Sequence, residues 1–113
     1  MESVRQQKVA RLIQRELGML FQSTFKHLCQ GNMVSITIVR VVPDLSFARV
    51  YVSVFPTTEP EKVVDLLNDH ITEISHNLYQ IIRNQFRKMP EIRFYYDDSL
   101  DYADRIDEIL KKD

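Results

Sequence analysis

A proline followed by a short aromatic stretch, late in the chain, constrains the fold more than any other feature. Pro90 has no backbone N–H and disfavours helical backbone at Met89, so a helix that precedes it must end by this point. Residues 92–96, Ile-Arg-Phe-Tyr-Tyr, then have the composition of a short strand. Since the helical pattern before Pro90 itself follows two strand patterns, the sequence predicts a strand, a helical crossover and a final strand in one unit.

Two earlier segments alternate apolar and polar residues, as half-buried strands do. The first covers residues 33–42 with Val34, Ile36 and Ile38 on one face, and the second covers residues 47–55. The short connection between them favours an antiparallel pair. The helical crossover predicts that the third strand runs parallel to the second and lies beside it.

Apolar residues recur at helical spacing over residues 3–25 and again over residues 58–88. In the second segment, Thr58 is predicted as the N-cap of a capping box with Glu61 at N3. Residues 75–77, Ser-His-Asn, are three poor helix formers and predict two helices that meet at a kink, with one continuous helix as the alternative. The resulting order, α-β-β-α-α-β, predicts an α+β domain with a three-stranded mixed sheet packed on helices.

The 113 residues predict a single domain, with a core over residues 1–97 and an acidic tail or short helix over residues 98–113. No apolar run approaches the roughly 20 residues needed to span a bilayer. The N-terminus lacks the apolar segment of a signal peptide, and the lone Cys29 has no internal disulfide partner. These features predict a cytoplasmic protein.

A net charge of −1 conceals a sorting of charge along the chain. Residues 1–30 carry five basic and two acidic side chains, and residues 83–96 carry four and one, so each segment has a charge of +3. Residues 59–73 carry one basic and five acidic side chains, and residues 97–113 carry three and seven, so each has a charge of −4. A nearly neutral chain can therefore still present a basic surface to phosphate.

Basic residues form two candidate RNA-binding clusters. The first, on one side of the first helix opposite its apolar side, consists of Arg5, Lys8, Arg11 and Arg15. The second, at the end of the helical crossover, consists of Arg83, Arg87 and Lys88. Such residues grip RNA phosphates. The alternatives are an ordinary solvated helix face for the first cluster and a favourable interaction with the helix dipole for the second.

Two further sets of residues have both a functional and a structural interpretation. The first set is Ser75, His76 and Asn77. It offers hydrogen-bond donors and one stackable ring to RNA, or it forms a polar helix junction that satisfies its own backbone. The second set, on the exposed face of the sheet, is Arg49, Tyr51, Arg93 and Tyr95. These side chains can stack bases, but we favour cross-strand packing of the aromatic residues.

The sequence supports no catalytic or metal site. His27, His70 and His76 share no metal-binding spacing, and Cys29 is predicted to be a small, partly buried apolar residue rather than a nucleophile. The aspartates from residue 97 onward fit no calcium loop, and helix capping with a solvated acidic helix accounts for them. We therefore predict no catalytic residue, no metal and no cofactor.

Three stretches carry a family resemblance across almost the whole chain. They are Arg5-(two residues)-Lys8-Val9, the run Val-Val-Pro-Asp-Leu-Ser-Phe-Ala-Arg-Val-Tyr-Val-Ser over residues 41–53, and Met89-Pro90-Glu91-Ile92-Arg93-Phe94 with Asp97-Asp98-Ser99 and Arg105-Ile106. With these motifs in the order α-β-β-α-α-β, the chain resembles the ribosome-binding factor A family, whose fold is a type II KH-like domain. That family has an Ala-X-Gly kink in place of the phosphate-clamping loop of KH domains. The corresponding positions here are Ile74-Ser75-His76, so the resemblance implies a kink there, although both the Ala and the Gly are missing.

The resemblance implies a non-catalytic factor that binds the free or immature 30S ribosomal subunit. Such a factor contacts 16S rRNA and assists its late processing and small-subunit maturation, especially in the cold, without a cofactor. We expect a monomer whose RNA contacts come mostly from the two basic clusters. One alternative is a protein-protein adaptor that docks through its acidic helix, residues 59–73, or its acidic tail. Another is a small hydrolase that uses Asp97 or Asp98.

Overall fold

The computed structural model follows the predicted order α-β-β-α-α-β and describes residues 2–86 and 88–98. The helices and strands have these bounds: α1 Val4–Gln22, β1 Met33–Val41, β2 Phe47–Phe55, α2 Pro60–Asp69, α3 Ile71–Ile82 and β3 Glu91–Tyr96. A 3-10 helix over Lys26–Cys29 follows α1. The predicted helix or tail after residue 98, and Arg87 of the second basic cluster, lie outside the described residues. Of the helices described, none combines the length and the apolar character needed to cross a membrane.

The sheet has the predicted mixed topology, with the strand order β1-β2-β3. β1 and β2 pair antiparallel, and β2 and β3 pair parallel with Val50 opposite Phe94. Because the two parallel strands are neighbours, α2 and α3 form the helical crossover that joins one end of β2 to the opposite end of β3. The predicted position and direction of the third strand are confirmed.

A β-bulge in β1 corrects the predicted alternation of that strand. The pairing with β2 shifts at Thr37, which is the extra residue of the bulge. Because the period of two is interrupted there, Ile38 turns to solvent with 40% of its surface exposed, whereas Val39 and Val41 are buried. The Thr37 hydroxyl donates a hydrogen bond to the carboxylate of Asp97, so the bulge is tied to the residue that follows β3.

The core lies between the helices and the inner face of the sheet. Every second residue of β2, from Ala48 to Val54, is buried there, and Leu17 of α1 and Leu67 of α2 are fully buried against this face. The rings of Phe21 and Phe94 pack with centroids 5.6 Å apart, which joins the end of α1 to β3. Burying a side chain of this size stabilises the fold by about 1.5–3 kcal/mol.

A capping box fixes the start of α1, not that of α2. The Ser3 hydroxyl accepts from the Gln6 N–H at 3.1 Å, and the Gln6 side-chain oxygen accepts from the Ser3 N–H at 2.7 Å. The Gln6 amide also donates to the Val41 carbonyl oxygen at 2.7 Å, which connects α1 to the end of β1. The capping box predicted at Thr58 is wrong, because α2 begins at Pro60 and its N-cap is therefore Glu59.

The two crossover helices meet at His70, which corrects the kink predicted at residues 75–77. His70 has backbone angles of φ −104° and ψ 20°, outside the helical range of the residues on either side. Residues 75–77 lie inside α3, where the Asn77 amide donates to the Glu73 carbonyl oxygen at 3.0 Å. Leu78 on the same helix is fully buried, and such packing outweighs the weak helix propensity of the three polar residues.

α3 ends at Ile82, earlier than the predicted end at Lys88. The chain then forms a tight turn in which the Gln85 N–H donates to the Ile82 carbonyl oxygen at 2.9 Å. Phe86 still packs against the core after this turn, which explains why the apolar pattern continues beyond the helix itself.

One side chain of α2 closes the outer edge of β3. The N–H groups of Glu91 and Asp97 donate to carbonyl oxygens on the β2 side of β3. Since successive residues of a strand point their N–H and C=O groups to opposite sides, Phe94, three residues from each of them, points its N–H and C=O away from β2. The Asn68 amide donates to the Phe94 carbonyl oxygen, and its own carbonyl oxygen accepts from the Phe94 N–H, both at 2.9 Å. Asn68 therefore satisfies β3 as a further strand would, and it fixes α2 to the edge of the sheet.

We expect Asn68→Ala to lower the free energy of unfolding by about 1–3 kcal/mol, because the N–H and C=O of Phe94 lose their partner. Gln80→Ala, at an exposed position of α3, is the matched control and should change it by less than about 0.5 kcal/mol. Urea unfolding followed by circular dichroism measures both values. An Asn68 variant as stable as the control would contradict this role of Asn68.

Candidate nucleic-acid interface

The four basic residues of α1 lie on its solvent side, and three of them line a groove. Arg5, Lys8, Arg11 and Arg15, the α1 stripe, are all exposed. The groove, here the α1 groove, has a volume of about 380 Å³. Its lining residues are Lys8, Arg11, Leu12 and Arg15 from α1 with Gln85 and Phe86 from the turn after α3. Arg83, at the C-terminal cap of α3, is exposed two residues before this turn segment, so it extends the basic surface.

Among the described residues, three of the four stripe residues have no acidic partner. In the part of the chain that the structure describes, no carboxylate oxygen lies within 4.0 Å of Arg5, Lys8 or Arg11. Arg15 differs, because its guanidinium group lies 3.1 Å from Glu16 Oε1. The Glu16 side chain is only 10% exposed, against 67% for Arg15, so this pair compensates a nearly buried carboxylate. Arg15 therefore adds less free positive charge to the stripe than its neighbours do.

A second groove, the α3 groove, lies between α3 and the segment that leads into β3. Its volume is about 740 Å³, and its lining includes Ser75, His76 and Tyr79 of α3 with Lys88 and Pro90. His76 and Tyr79 are exposed and Ser75 is half-buried, so the groove offers two aromatic rings, a hydroxyl group and an ammonium group. Tyr79 is not among the site residues predicted from the sequence. Its position three residues after His76, on the same side of the helix, is the signal that points to it.

The two grooves share no lining residue, and each holds three of the predicted site residues: the α1 groove Lys8, Arg11 and Arg15, and the α3 groove Ser75, His76 and Lys88. Arg5 and Arg83 line neither groove. Asn77 lines neither groove, and its amide is engaged with the Glu73 carbonyl oxygen of its own helix. Lys88, which lines the α3 groove, also exerts an electrostatic effect on Asp44 in the turn between β1 and β2. There, hydrogen bonds from the hydroxyl and N–H of Ser46 lower the pKa of Asp44, and the positive charge of Lys88 contributes to the same effect.

The solvent face of the sheet shows the predicted cross-strand packing. Tyr51 and Tyr95 are opposite each other in the pairing of β2 and β3, with ring centroids 5.6 Å apart and an angle of 32° between the rings. Arg49 and Arg93 are opposite each other one step earlier and are both exposed. The aromatic contact confirms the predicted cross-strand packing, and both guanidinium groups are exposed to solvent.

Three features of the described residues bear on the predicted absence of a catalytic or metal site. Within residues 2–86 and 88–98, no group of three or more His, Cys, Asp and Glu side chains is placed to hold a metal ion. Cys29 is buried more completely than the predicted partial burial, and this burial raises the pKa of its thiol, which disfavours the reactive thiolate. A depression of about 510 Å³ beside Asp98 includes Glu61 and Asp65, but these exposed carboxylates share it with no histidine, cysteine, serine or threonine among the described residues.

Comparisons with known proteins agree with the sequence motifs. A family model described as ribosome-binding factor A matches residues 5–110. The ribosome-binding factor A of Christiangramia forsetii is 40% identical over 111 residues, which cover 97% of this chain and 85% of that protein.

Solved structures show the same fold. The crystal structure of ribosome-binding factor A from Thermus thermophilus has a TM-score of 0.66 at 19% identity, over 80% of this chain and 94% of that one. A homology model of the Thermus thermophilus protein, fitted into a cryo-EM map of a complex between the 30S subunit and this factor, has a TM-score of 0.51 at 19% identity, over 73% and 96%. These similarities confirm the type II KH-like fold predicted from the order of elements.

We expect Arg15→Ala to lower the free energy of unfolding by about 1–3 kcal/mol, because Glu16 would keep a nearly buried carboxylate without a partner. Arg11→Ala, on the same side of α1, is the matched control and should change it by less than about 0.5 kcal/mol. Urea unfolding of both variants provides the comparison. If both variants unfold at the same urea concentration, the pair has no structural role.

Proposed function

We propose, from the premise that this chain belongs to the ribosome-binding factor A family, that it binds the free or immature 30S ribosomal subunit through 16S rRNA. In this proposal it assists late 16S rRNA processing and small-subunit maturation, including in the cold, as a cytoplasmic monomer. Its contribution is binding and positioning, and no residue acts as a catalyst. The observation that supports this most strongly is the positive charge of Arg5, Lys8 and Arg11 in the α1 stripe, which no carboxylate of the described residues pairs with.

The α1 groove is suited to the backbone of folded RNA. A-form RNA is recognised mostly through its shape, phosphates and ribose hydroxyls. Lys8 and Arg11 present an ammonium and a guanidinium group from the same side of a helix, and the guanidinium fork can hold phosphate through two hydrogen bonds. Gln85 and Phe86 form the opposite wall and give the groove a shape that a flat helix face lacks.

The α3 groove supplies the second part of the proposed interface. Ser75, His76 and Tyr79 can donate hydrogen bonds to an RNA segment, and the two rings can stack on an unpaired base. Arg83 and Lys88 add positive charge at the end of α3 and beside the groove. Arg87 is included in the proposal because it stands next to Lys88 in the sequence.

The protein-protein adaptor remains a second candidate because α2 is an exposed acidic helix. Glu61, Asp65 and Asp69 are all exposed along it, and only Glu59, at its N-cap, pairs with a basic residue, Lys62, in the described part of the chain. An adaptor that docks through this helix should keep its association with the subunit after nuclease treatment. RNA-dependent binding should be lost under the same treatment.

We expect the double substitution Lys8→Glu and Arg11→Glu to weaken co-sedimentation with purified 30S subunits by at least about tenfold, since two phosphate contacts become repulsive. If wild type makes about five phosphate contacts, its log affinity should fall with log salt with a slope of about −4, and the variant's slope should be shallower by about 1.6. Arg15 is left intact in this design because its loss would also affect folding through Glu16.

The matched control is Lys26→Glu with Lys62→Glu, which makes the same change in net charge at two exposed positions outside the two grooves. It should retain wild-type co-sedimentation. Thermal unfolding checks that both double variants are folded. Wild-type binding by the Lys8 and Arg11 variant, or an equal loss in the control, would contradict the proposed role of the α1 stripe.

A further inference from the structure

Three arginines form a row across the solvent face of the sheet. The strand pairing places Arg40 of β1 opposite Arg49 of β2, and Arg49 opposite Arg93 of β3. All three are exposed. Since neighbouring strands lie about 4.8 Å apart, this arginine row spans about 10 Å. It lies on the side of the sheet opposite the helices, and therefore away from the α1 stripe.

The β-bulge places the third arginine in the row. Without the extra residue at Thr37, the alternation of β1 would put Arg40 on the same face as Val34, which is buried in the core. The bulge reverses the alternation, so Arg40 reaches the solvent face beside Arg49. A backbone irregularity therefore completes the row.

The arginine row disfavours the folded chain when no ligand is bound. Like charges directly opposite each other on neighbouring strands destabilise a sheet. Arg40 has one carboxylate partner, Glu2, at 3.1 Å. In the described part of the chain, no carboxylate oxygen lies within 4.0 Å of Arg49 or Arg93. Among the described residues, these three adjacent guanidinium groups have a single carboxylate partner, which favours the binding of an anion to this surface.

The aromatic pair lies next to the arginine row. Tyr51 follows Arg49 on the same face of β2, and Tyr95 follows Arg93 on the same face of β3. The two rings contact each other and are half-buried. Paired aromatic rings on neighbouring strands beside cationic side chains can hold single-stranded RNA, because bases stack on the rings while the cations bind phosphates.

Carboxylates border this surface at the edge of β3. Glu61 and Asp65 of α2, with Asp98, line a depression that also includes Arg93 and Tyr95. Their negative charge repels phosphate on that side. An RNA strand on this face is therefore expected to extend from the tyrosines toward β1, where Arg40 lies, and not around the edge of β3 onto α2.

We infer that the solvent face of the sheet binds an unpaired RNA segment, with phosphates on Arg40, Arg49 and Arg93 and bases on Tyr51 and Tyr95. The inference rests on the proposed function only for the source of this RNA, the ribosomal RNA. It adds a second RNA-binding surface on the opposite side of the domain from the α1 stripe. An acidic protein segment could pair its carboxylates with the arginines, but it has no bases to stack on the two tyrosine rings.

The test uses the full chain and fluorescein-labelled decauridylate, with binding measured by fluorescence anisotropy at low salt. We expect Arg49→Gln with Arg93→Gln to weaken binding by at least about tenfold. The slope of log affinity against log salt should become shallower by about 1.4, because each lost contact with a single strand contributes about 0.7. Tyr51→Leu should weaken binding by about tenfold, whereas Tyr51→Phe, which keeps the ring, should retain it.

Two controls and one direct measurement make the result specific. Lys26→Gln with Lys62→Gln removes the same charge elsewhere and should change binding less than about twofold. Ultraviolet crosslinking of decauridylate followed by mass spectrometry should place the adduct on Tyr51 or Tyr95. Arg49→Gln alone should raise the thermal midpoint at low salt by about 1–3 °C, because it relieves repulsion within the row.

The inference fails if the wild-type chain does not bind decauridylate, or if the Lys26 and Lys62 control loses as much binding as the Arg49 and Arg93 variant. It also fails if no crosslinked adduct maps to Tyr51 or Tyr95. It also fails if polyglutamate of equal charge competes as well as unlabelled decauridylate, since the face would then suit an acidic protein. The assay contains no ribosomal subunit. Loss of subunit binding by the Lys8 and Arg11 variant, with decauridylate binding intact, separates this surface from the proposed function of the α1 stripe.

Discussion

The parallel pairing of β3 with β2 is the constraint on which both candidate surfaces depend. On the helical side, the crossover that this pairing requires brings the turn after α3 against α1, where Gln85 and Phe86 complete the groove of the α1 stripe. On the other side, the same pairing sets Arg93 beside Arg49. Asn68 holds the arrangement at its open edge, because its amide satisfies both peptide groups of Phe94 that β2 cannot reach. Loosening β3 would therefore affect both sides of the domain.

The parts of the fold that follow from local pattern were predictable. β2 has its predicted bounds of Phe47–Phe55, since its alternation is unbroken and its inner face carries only small apolar residues. The place of the third strand followed from Pro90, which ends any preceding helix, and from the helical crossover. Arg49 and Arg93 were predicted on the exposed face of the sheet, but Arg40 was not, because its face depends on the strand register and on one extra residue at Thr37, neither of which the hydrophobic pattern specifies.

The position of the helix break and the pairing of Arg15 with Glu16 did not follow from the local sequence pattern. Ser75, His76 and Asn77 have low helix propensity, but the buried Leu78 keeps them in α3, and the break falls at His70. As a result, Ser75 and His76 line the wall of a groove with Tyr79 and do not form a loop. Arg15 has the spacing of the stripe, yet it pairs with its neighbour Glu16, although adjacent helix residues do not usually face each other.

If both proposed surfaces bind RNA, their positions on opposite sides of one small domain would let a nearly neutral chain bind RNA firmly and still release it. Each surface has only a few cations, so each alone would bind weakly at physiological salt. If both contact one folded RNA, the second contact forms at high effective concentration, and the overall affinity exceeds that of either surface. The sorting of charge makes this possible, since the acidic helix α2 and the carboxylates at the β3 edge separate the two surfaces on that side. A change in the RNA that removes one contact would then release the whole domain, so binding would depend on the relative position of two RNA segments and not on the charge of either one.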